Sequence, residues 1–214
     1  GCVATATGMV MKYWNYPAQG EGSHGYNSSG YGYLEANFGE TEYHFENMLD
    51  GQWVYESALL LFHIGVAVEM MYSPNGSGAY TDEAVESLNL YFKYSDSYYN
   101  AEKEFYTENE WIDMLKNNID YGLPLIYWGS GPAGGHAFCC DGYDSNDYFH
   151  FNWGWSGSQN GYFLVSNLNP GNYTFSQYCG AGFGVIPAPE ELEMPQNVVF
   201  EQPEYNQVNI SWEA

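Results

Sequence analysis

The sequence predicts an α+β domain in which a helical first half packs on an antiparallel sheet built by the second half. Two observations carry this. Before Gly122 the apolar residues recur at helical spacing over segments of about three turns; after it, short apolar runs alternate with Gly, Asn and Asp, as strands joined by tight turns do. A third observation, 22 Tyr, 12 Phe and 7 Trp in 214 residues, suits strand-rich packing and amphipathic grooves.

The first helix is expected over residues 3–14, rich in Ala and Met, and the polar, glycine-rich stretch 17–32 ends it. Cys2 then lies in its first turn. Residues 56–70 are apolar on nearly every side, as in a buried helix. Thr81-Asp82-Glu83-Ala84 opens a third helix with Thr81 or Asp82 as its cap, and residues 108–119 form a fourth with Trp111, Met114 and Leu115 on one stripe. Strands are expected at 125–128, 136–140, 148–153, 161–165 and 182–186. Residues 1–187 thus make one domain. Residues 188–195 read as a proline-rich acidic linker, and 196–214 resemble the first two strands of a fibronectin type III-like sandwich. About twenty residues cannot bury a sandwich core, so this tail is expected to be the start of an incomplete neighbouring domain.

Charge excludes some partners. With 27 acidic and 4 basic residues the net charge is −23, which repels phosphate backbones and anionic membrane surfaces, so no nucleic-acid partner is expected. No apolar run reaches the 18 residues of a membrane span. Four cysteines, Cys2, Cys139, Cys140 and Cys179, are too few for a disulfide framework in a chain this long, and no CxxC pair suggests zinc. Cys139 and Cys140 are adjacent and on a strand would point to opposite faces as small buried residues. The five histidines, His24, His44, His63, His136 and His150, lack HExxH or comparable spacing, so no metal or other cofactor is expected.

The chemistry concentrates in two places. Cys2 stands at the start of a helix, where the dipole and a cationic neighbour lower a thiol's pKa and make it a nucleophile; its own N–H is a natural oxyanion donor. His136 lies between small residues in Gly134-Gly135-His136-Ala137-Phe138, where a peptide backbone could approach closely. A histidine base needs a partner that fixes its tautomer, and Asn152 in Tyr148-Phe149-His150-Phe151-Asn152-Trp153-Gly154-Trp155 could accept from it, with tryptophan as a shield against water.

Gly1-Cys2-Val3-Ala4-Thr5-Ala6-Thr7-Gly8, the later Ile64-Gly65-Val66-Ala67-Val68-Glu69-Met70-Met71-Tyr72 run, Gly134-Gly135-His136-Ala137-Phe138 and His150-Phe151-Asn152-Trp153-Gly154-Trp155 occur in one order. Together they resemble the streptopain-like, family C10 cysteine peptidases. The resemblance implies a papain-like fold, a secreted bacterial thiol protease made as a zymogen, and protein or peptide substrates cut without a cofactor. It matches Cys2 to the nucleophile, His136 to the general base, and Asn152 or Trp153 to the group that steadies the base. Cys2 and His136 are 134 residues apart, inside the roughly 130–150 window of papain-type partners. Substrate-facing loops are implied at Ser77-Gly78-Ala79 and at Gly129-Ser130, with Gly135 beside the base. The family's oxyanion-hole glutamine and inhibitory propeptide lie upstream of the nucleophile, so these 214 residues alone are expected to be a poor enzyme. Two rival readings are a catalytically silent peptide- or glycan-binding module and another papain-like acyl-transfer enzyme, an amidase or transglutaminase.

Overall fold

The computed structural model describes residues 1–49, 52, 54–189, 196–204 and 207–213. Helix α1 (Cys2–Trp14) opens the chain. A hairpin of β1 (Ser23–Ser28) and β2 (Gly32–Asn37) follows, then α2 (Tyr55–Ala67), α3 (Thr81–Phe92), the short β3 (Tyr99–Glu102) and α4 (Glu108–Asp120). The second half runs through β4 (Leu125–Gly131), β5 (Gly134–Tyr143), β6 (Phe149–Asn152), β7 (Gly161–Phe163) and β8 (Gln177–Phe183). With β3 these form one six-stranded antiparallel sheet of order β3-β8-β4-β5-β6-β7.

The sheet is buried on both faces, which its alternation explains. From β4 and β5, Ile126, Ala137 and Cys139 join the core made with α1, α2 and α3. The intervening Leu125, Tyr127, Phe138 and Cys140 join Trp111 and Leu115 of α4, Phe149, Phe151 and Trp153 in a second core. The adjacent cysteines thus lie on opposite faces, both buried, and all four cysteines are free thiols. Helix α1 is wedged between the layers: Val3, Ala6, Val10 and Met11 are buried, and Thr7, equally buried, bonds back to the Val3 carbonyl at 2.9 Å.

Several boundaries depart from the expectations, each for a local reason. The stretch expected to be loop over 17–32 contains most of the β1–β2 hairpin, whose strands are half-exposed and so lack an apolar alternation. The second helix ends at Ala67 rather than 70 because Glu69 turns left-handed (φ 44°) and the Met70 N–H returns to the Gly65 carbonyl at 2.9 Å. Helix α3 takes Tyr80 as its N-cap without a side-chain bond, so Thr81 and Asp82 lie inside the first turn and do not cap it. Helix α4 has a capping box: Glu110 N–H donates to Thr107 Oγ1 and Thr107 N–H to Glu110 Oε2. The last strand spans Gln177–Phe183 instead of 182–186 and stops before Gly184, which turns to φ 68°.

After β8, β9 (Gln196–Glu204) and β10 (Gln207–Glu213) pair antiparallel as a separate two-stranded sheet. Most of the expected linker, residues 190–195, lies outside the described residues.

Candidate active site

The strong turn of α1 places Cys2 at its first helical position, after Gly1 as N-cap with no side-chain cap, so the positive end of the helix faces the thiol. Strand β5 brings His136 to the same place, and the two side chains are hydrogen-bonded. Burial alone would push the Cys2 thiol up. The His136 hydrogen bond, a main-chain bond from Ala137, the His136 charge and a main-chain bond from Val3 outweigh it and hold the thiol below its ordinary range. The other three cysteines go the opposite way: burial pushes Cys139, Cys140 and Cys179 up.

His136 is oriented by main chain. Its Nε2 lies 2.8 Å from the Trp153 carbonyl oxygen. A carbonyl can only accept, so Nε2 carries the proton and Nδ1 is the nitrogen left for the sulfur. The carbonyl is itself held in place through the next peptide: the Gly154 N–H, in the same peptide plane, donates to Asn152 Oδ1 at 3.1 Å, an Asx turn. On the preceding peptide the Trp153 N–H donates to Asn160 Oδ1 at 3.1 Å, and the Trp153 indole N–H donates to the Gln159 carbonyl at 2.9 Å. Trp153 therefore meets His136 through its carbonyl while its ring fills the core, 4.4 Å from Phe138. Asn152 reaches the histidine through one peptide plane, its Oδ1 being engaged with Gly154.

Aromatic rings enclose the imidazole. Trp155 stacks on it with centroids 5.1 Å apart and planes 25° apart, and Phe175 lies 5.0 Å away. This shell keeps water from the Nε2–H···O bond while Cys2 remains half-buried.

The family model of the peptidase C10 family matches residues 1–163. The chain belongs to the peptidase C10 family. Streptopain of Streptococcus pyogenes is 32% identical over 208 residues, covering 87% of this chain and 52% of that protein. The thiol protease/hemagglutinin PrtT of Porphyromonas gingivalis is 32% identical over 202 residues, covering 90% of this chain and 23% of that protein. Among solved structures, the active wild-type interpain A cysteine protease of Prevotella intermedia superposes with a TM-score of 0.79 at 39% identity, covering 87% of this chain and 83% of that one. The fold is therefore the papain-like one that this C10 chain's sequence predicts. The chain spans about half the length of the streptopains it matches.

The loops implied by the C10 resemblance lie around the thiol and the imidazole. A Cβ on Gly1 would sit 2.9 Å from the Ser77 carbonyl and 2.7 Å from Met70 Sδ, so the 70–79 loop abuts the residue before Cys2. Gly78 pairs with Met71 in an isolated bridge that shapes this loop, and Ala79 packs partly buried beneath it. On the other side Ser130 pairs with Gly135, one step along from the Gly129–His136 pair, and Ser130 Oγ donates to the Gln177 carbonyl at 3.3 Å. A cavity of about 740 Å³, lined by Thr5, Met9, Leu60, Cys139, Asn152 and Gly154 among others, borders this region without including Cys2 or His136.

The remaining histidines have other partners. His24 meets Glu69 at 3.1 Å, His44 lies 3.4 Å from Glu46, His63 Nδ1 lies 2.9 Å from the Tyr43 hydroxyl and His150 bonds Asp141. No cluster among the described residues offers three metal-ligating side chains. Sequence reasoning missed Asn160, Gln159 and Phe175, whereas Trp155 stands in the run from which a shielding tryptophan is expected. The Asn152-x-Gly154 spacing was a usable signal for the Asx turn; Phe175, more than twenty residues further on, has none.

Proposed function

We propose that this chain is the catalytic part of a cysteine endopeptidase, with Cys2 as nucleophile and His136 as general acid and base. One observation carries the reading: in a C10 chain, the one thiol held below its ordinary range is the one hydrogen-bonded to an imidazole whose far nitrogen is pinned. The Cys2 thiol passes its proton to His136 Nδ1, the resulting thiolate attacks the scissile carbonyl, and the Cys2 N–H at the helix end donates to the developing oxyanion. As the tetrahedral species collapses, His136 gives its Nδ1 proton to the departing amine and a thioester remains. His136 then takes a proton from water, whose oxygen attacks the thioester, and the acid product leaves with the thiol restored. Trp153, through its carbonyl, keeps the imidazole's tautomer constant across both steps, and Asn152 holds that carbonyl.

The backbone edges at Ser77, Gly78 and Ala79 and at Ser130 and Gly135 would receive the substrate chain, since small residues allow close main-chain approach. Residues 1–187 would form the peptidase domain, 188–195 its linker, and the β9–β10 hairpin the start of a fibronectin type III-like module. As the C10 resemblance implies, the protein would be a secreted zymogen inhibited by its propeptide. No helix among the described residues is long and apolar enough to cross a membrane, which is compatible with export.

Casein tests the reading. Release of new α-amines, slow for these 214 residues alone and lost in Cys2→Ala, is the expected result; release of ammonia without chain cleavage would indicate an amidase, and no reaction together with slow alkylation of Cys2 that is indifferent to His136→Ala would favour a binding module.

A further inference from the structure

We infer that Tyr173 is a specificity-determining residue which, with Trp155, forms an uncharged aromatic shelf for the first two residues after the scissile bond and selects aromatic side chains there. The inference rests on the peptidase reading above and adds its leaving-group specificity.

The direction follows from the chemistry. His136 protonates the departing amine, so the part of the substrate that leaves lies on the imidazole's side of the sulfur. On that side the rings continue outward in a row: His136 stacks on Trp155, and Trp155 meets Tyr173 at 5.3 Å. Tyr173 also lies parallel to Phe175, 6.1 Å apart with planes 7° apart. Phe175 is buried beneath, whereas Tyr173 is 49% exposed, so the row ends in a ring face open to solvent.

The shelf is held, not loose. Phe175 N–H donates to the Leu168 carbonyl at 2.8 Å, Leu168 N–H to Ser176 Oγ at 2.8 Å, and Tyr173 N–H to the Pro170 carbonyl at 3.1 Å. Lys103 anchors the base of the loop through the Val165 carbonyl at 3.0 Å. Centroid steps of 5.1 and 5.3 Å put Tyr173 no more than about 10 Å from the imidazole; at about 3.3 Å per extended residue, plus the reach of an aromatic side chain, the ring lies within range of the first or second residue beyond the cut.

Charge narrows the class. In a chain with 27 acidic residues, not one Asp, Glu, Lys or Arg occurs from Tyr148 to Pro187, the segment that supplies Trp155, Tyr173 and Phe175. A charged side chain laid on this shelf would lose water and gain no partner from that segment, whereas a ring gains offset-stacked or edge contacts.

Acyl-enzyme partitioning tests this without depending on how the first half of the substrate binds. A peptidyl methyl ester acylates Cys2 and releases methanol. The thioester is then taken by water, giving the acid, or by an added amino-acid amide, giving a new peptide bond, and the product ratio reports the affinity of the leaving-group side. Phenylalaninamide should be used at least about five-fold better than glycinamide and glutamic acid α-amide. In Tyr173→Ala and in Tyr173→Gln the preference should fall to within about two-fold, with ester hydrolysis in the absence of amine unchanged; Tyr173→Phe should keep it. A phenylalaninamide preference that survives both Tyr173→Ala and Tyr173→Gln, or that is missing from the wild type, overturns the inference while leaving the peptidase reading intact. A wild type that forms no acyl-enzyme overturns both.

Discussion

Asn152 is where the structure and a direct histidine–amide picture give different results on mutation. Here its Oδ1 accepts from the Gly154 N–H and so aims the Trp153 carbonyl at His136. Removing it in Asn152→Ala loses one part-buried hydrogen bond, worth about 0.5–1.5 kcal/mol. If that bond serves only to hold the carbonyl, the loss should appear in turnover as roughly two- to twelve-fold, at 1.4 kcal/mol per decade, with KM little changed. Asn152→Ser is the discriminating variant. A serine hydroxyl also accepts from the N–H two residues on, though more weakly, but it is too short to replace an amide touching the imidazole. Steady-state kinetics on a peptide substrate should therefore rank wild type above Ser above Ala. Serine as impaired as alanine would refute the argument that Asn152 acts through the Gly154 peptide.

Three more outcomes follow from the same geometry. Gly154→Val places a branched side chain at φ 73°, with its Cβ 2.9 Å from Thr5 Cγ2 on α1, one turn after the nucleophile; chemical denaturation should show a loss of about 2–4 kcal/mol, and an unchanged midpoint would contradict the packing of that turn on α1. Burial lowers the His63 pKa, so the unfolded chain binds its proton first; the contribution is complete above about pH 6.5 and is lost as pH falls below that value. Melting curves at pH 7.5 and 5.0 should accordingly differ less in His63→Gln than in the wild type. Trp155→Ala, which uncovers the His136 ring, should lower turnover more than it raises KM, because the exposed Nε2–H···O bond then competes with water.

What the sequence made legible was whatever depends on local pattern. Helix α1 and its cysteine, α4, and the cores of β4 and β5 are set by apolar spacing that survives into the fold. The β1–β2 hairpin was not legible because its strands are exposed on much of both faces and so carry no period. Strand β3 escaped because it is a four-residue edge on β8, exposed at every position but Ala101. The site shows the same division. Cys2, His136, Asn152 and Trp153 stand in recognisable runs. That the bond to His136 comes from a backbone carbonyl, with the Trp153 ring turned into the core, depends on the turn geometry over 152–160, and the covering Phe175 arrives from the loop before β8. Long-range placement of that kind leaves no mark in local sequence.

The central claim is that Cys2 alone among four thiols is held below its ordinary range by its imidazole neighbour. Iodoacetamide labelling from pH 5 to 9, read peptide by peptide in a mass spectrometer, measures it directly. The account predicts modification of Cys2 at lower pH than an ordinary thiol, negligible labelling of Cys139, Cys140 and Cys179 in the folded protein, and a shift of the Cys2 reaction to higher pH in His136→Ala, where burial is left to push the thiol up. Equal, slow labelling of Cys2 with and without His136 would contradict it.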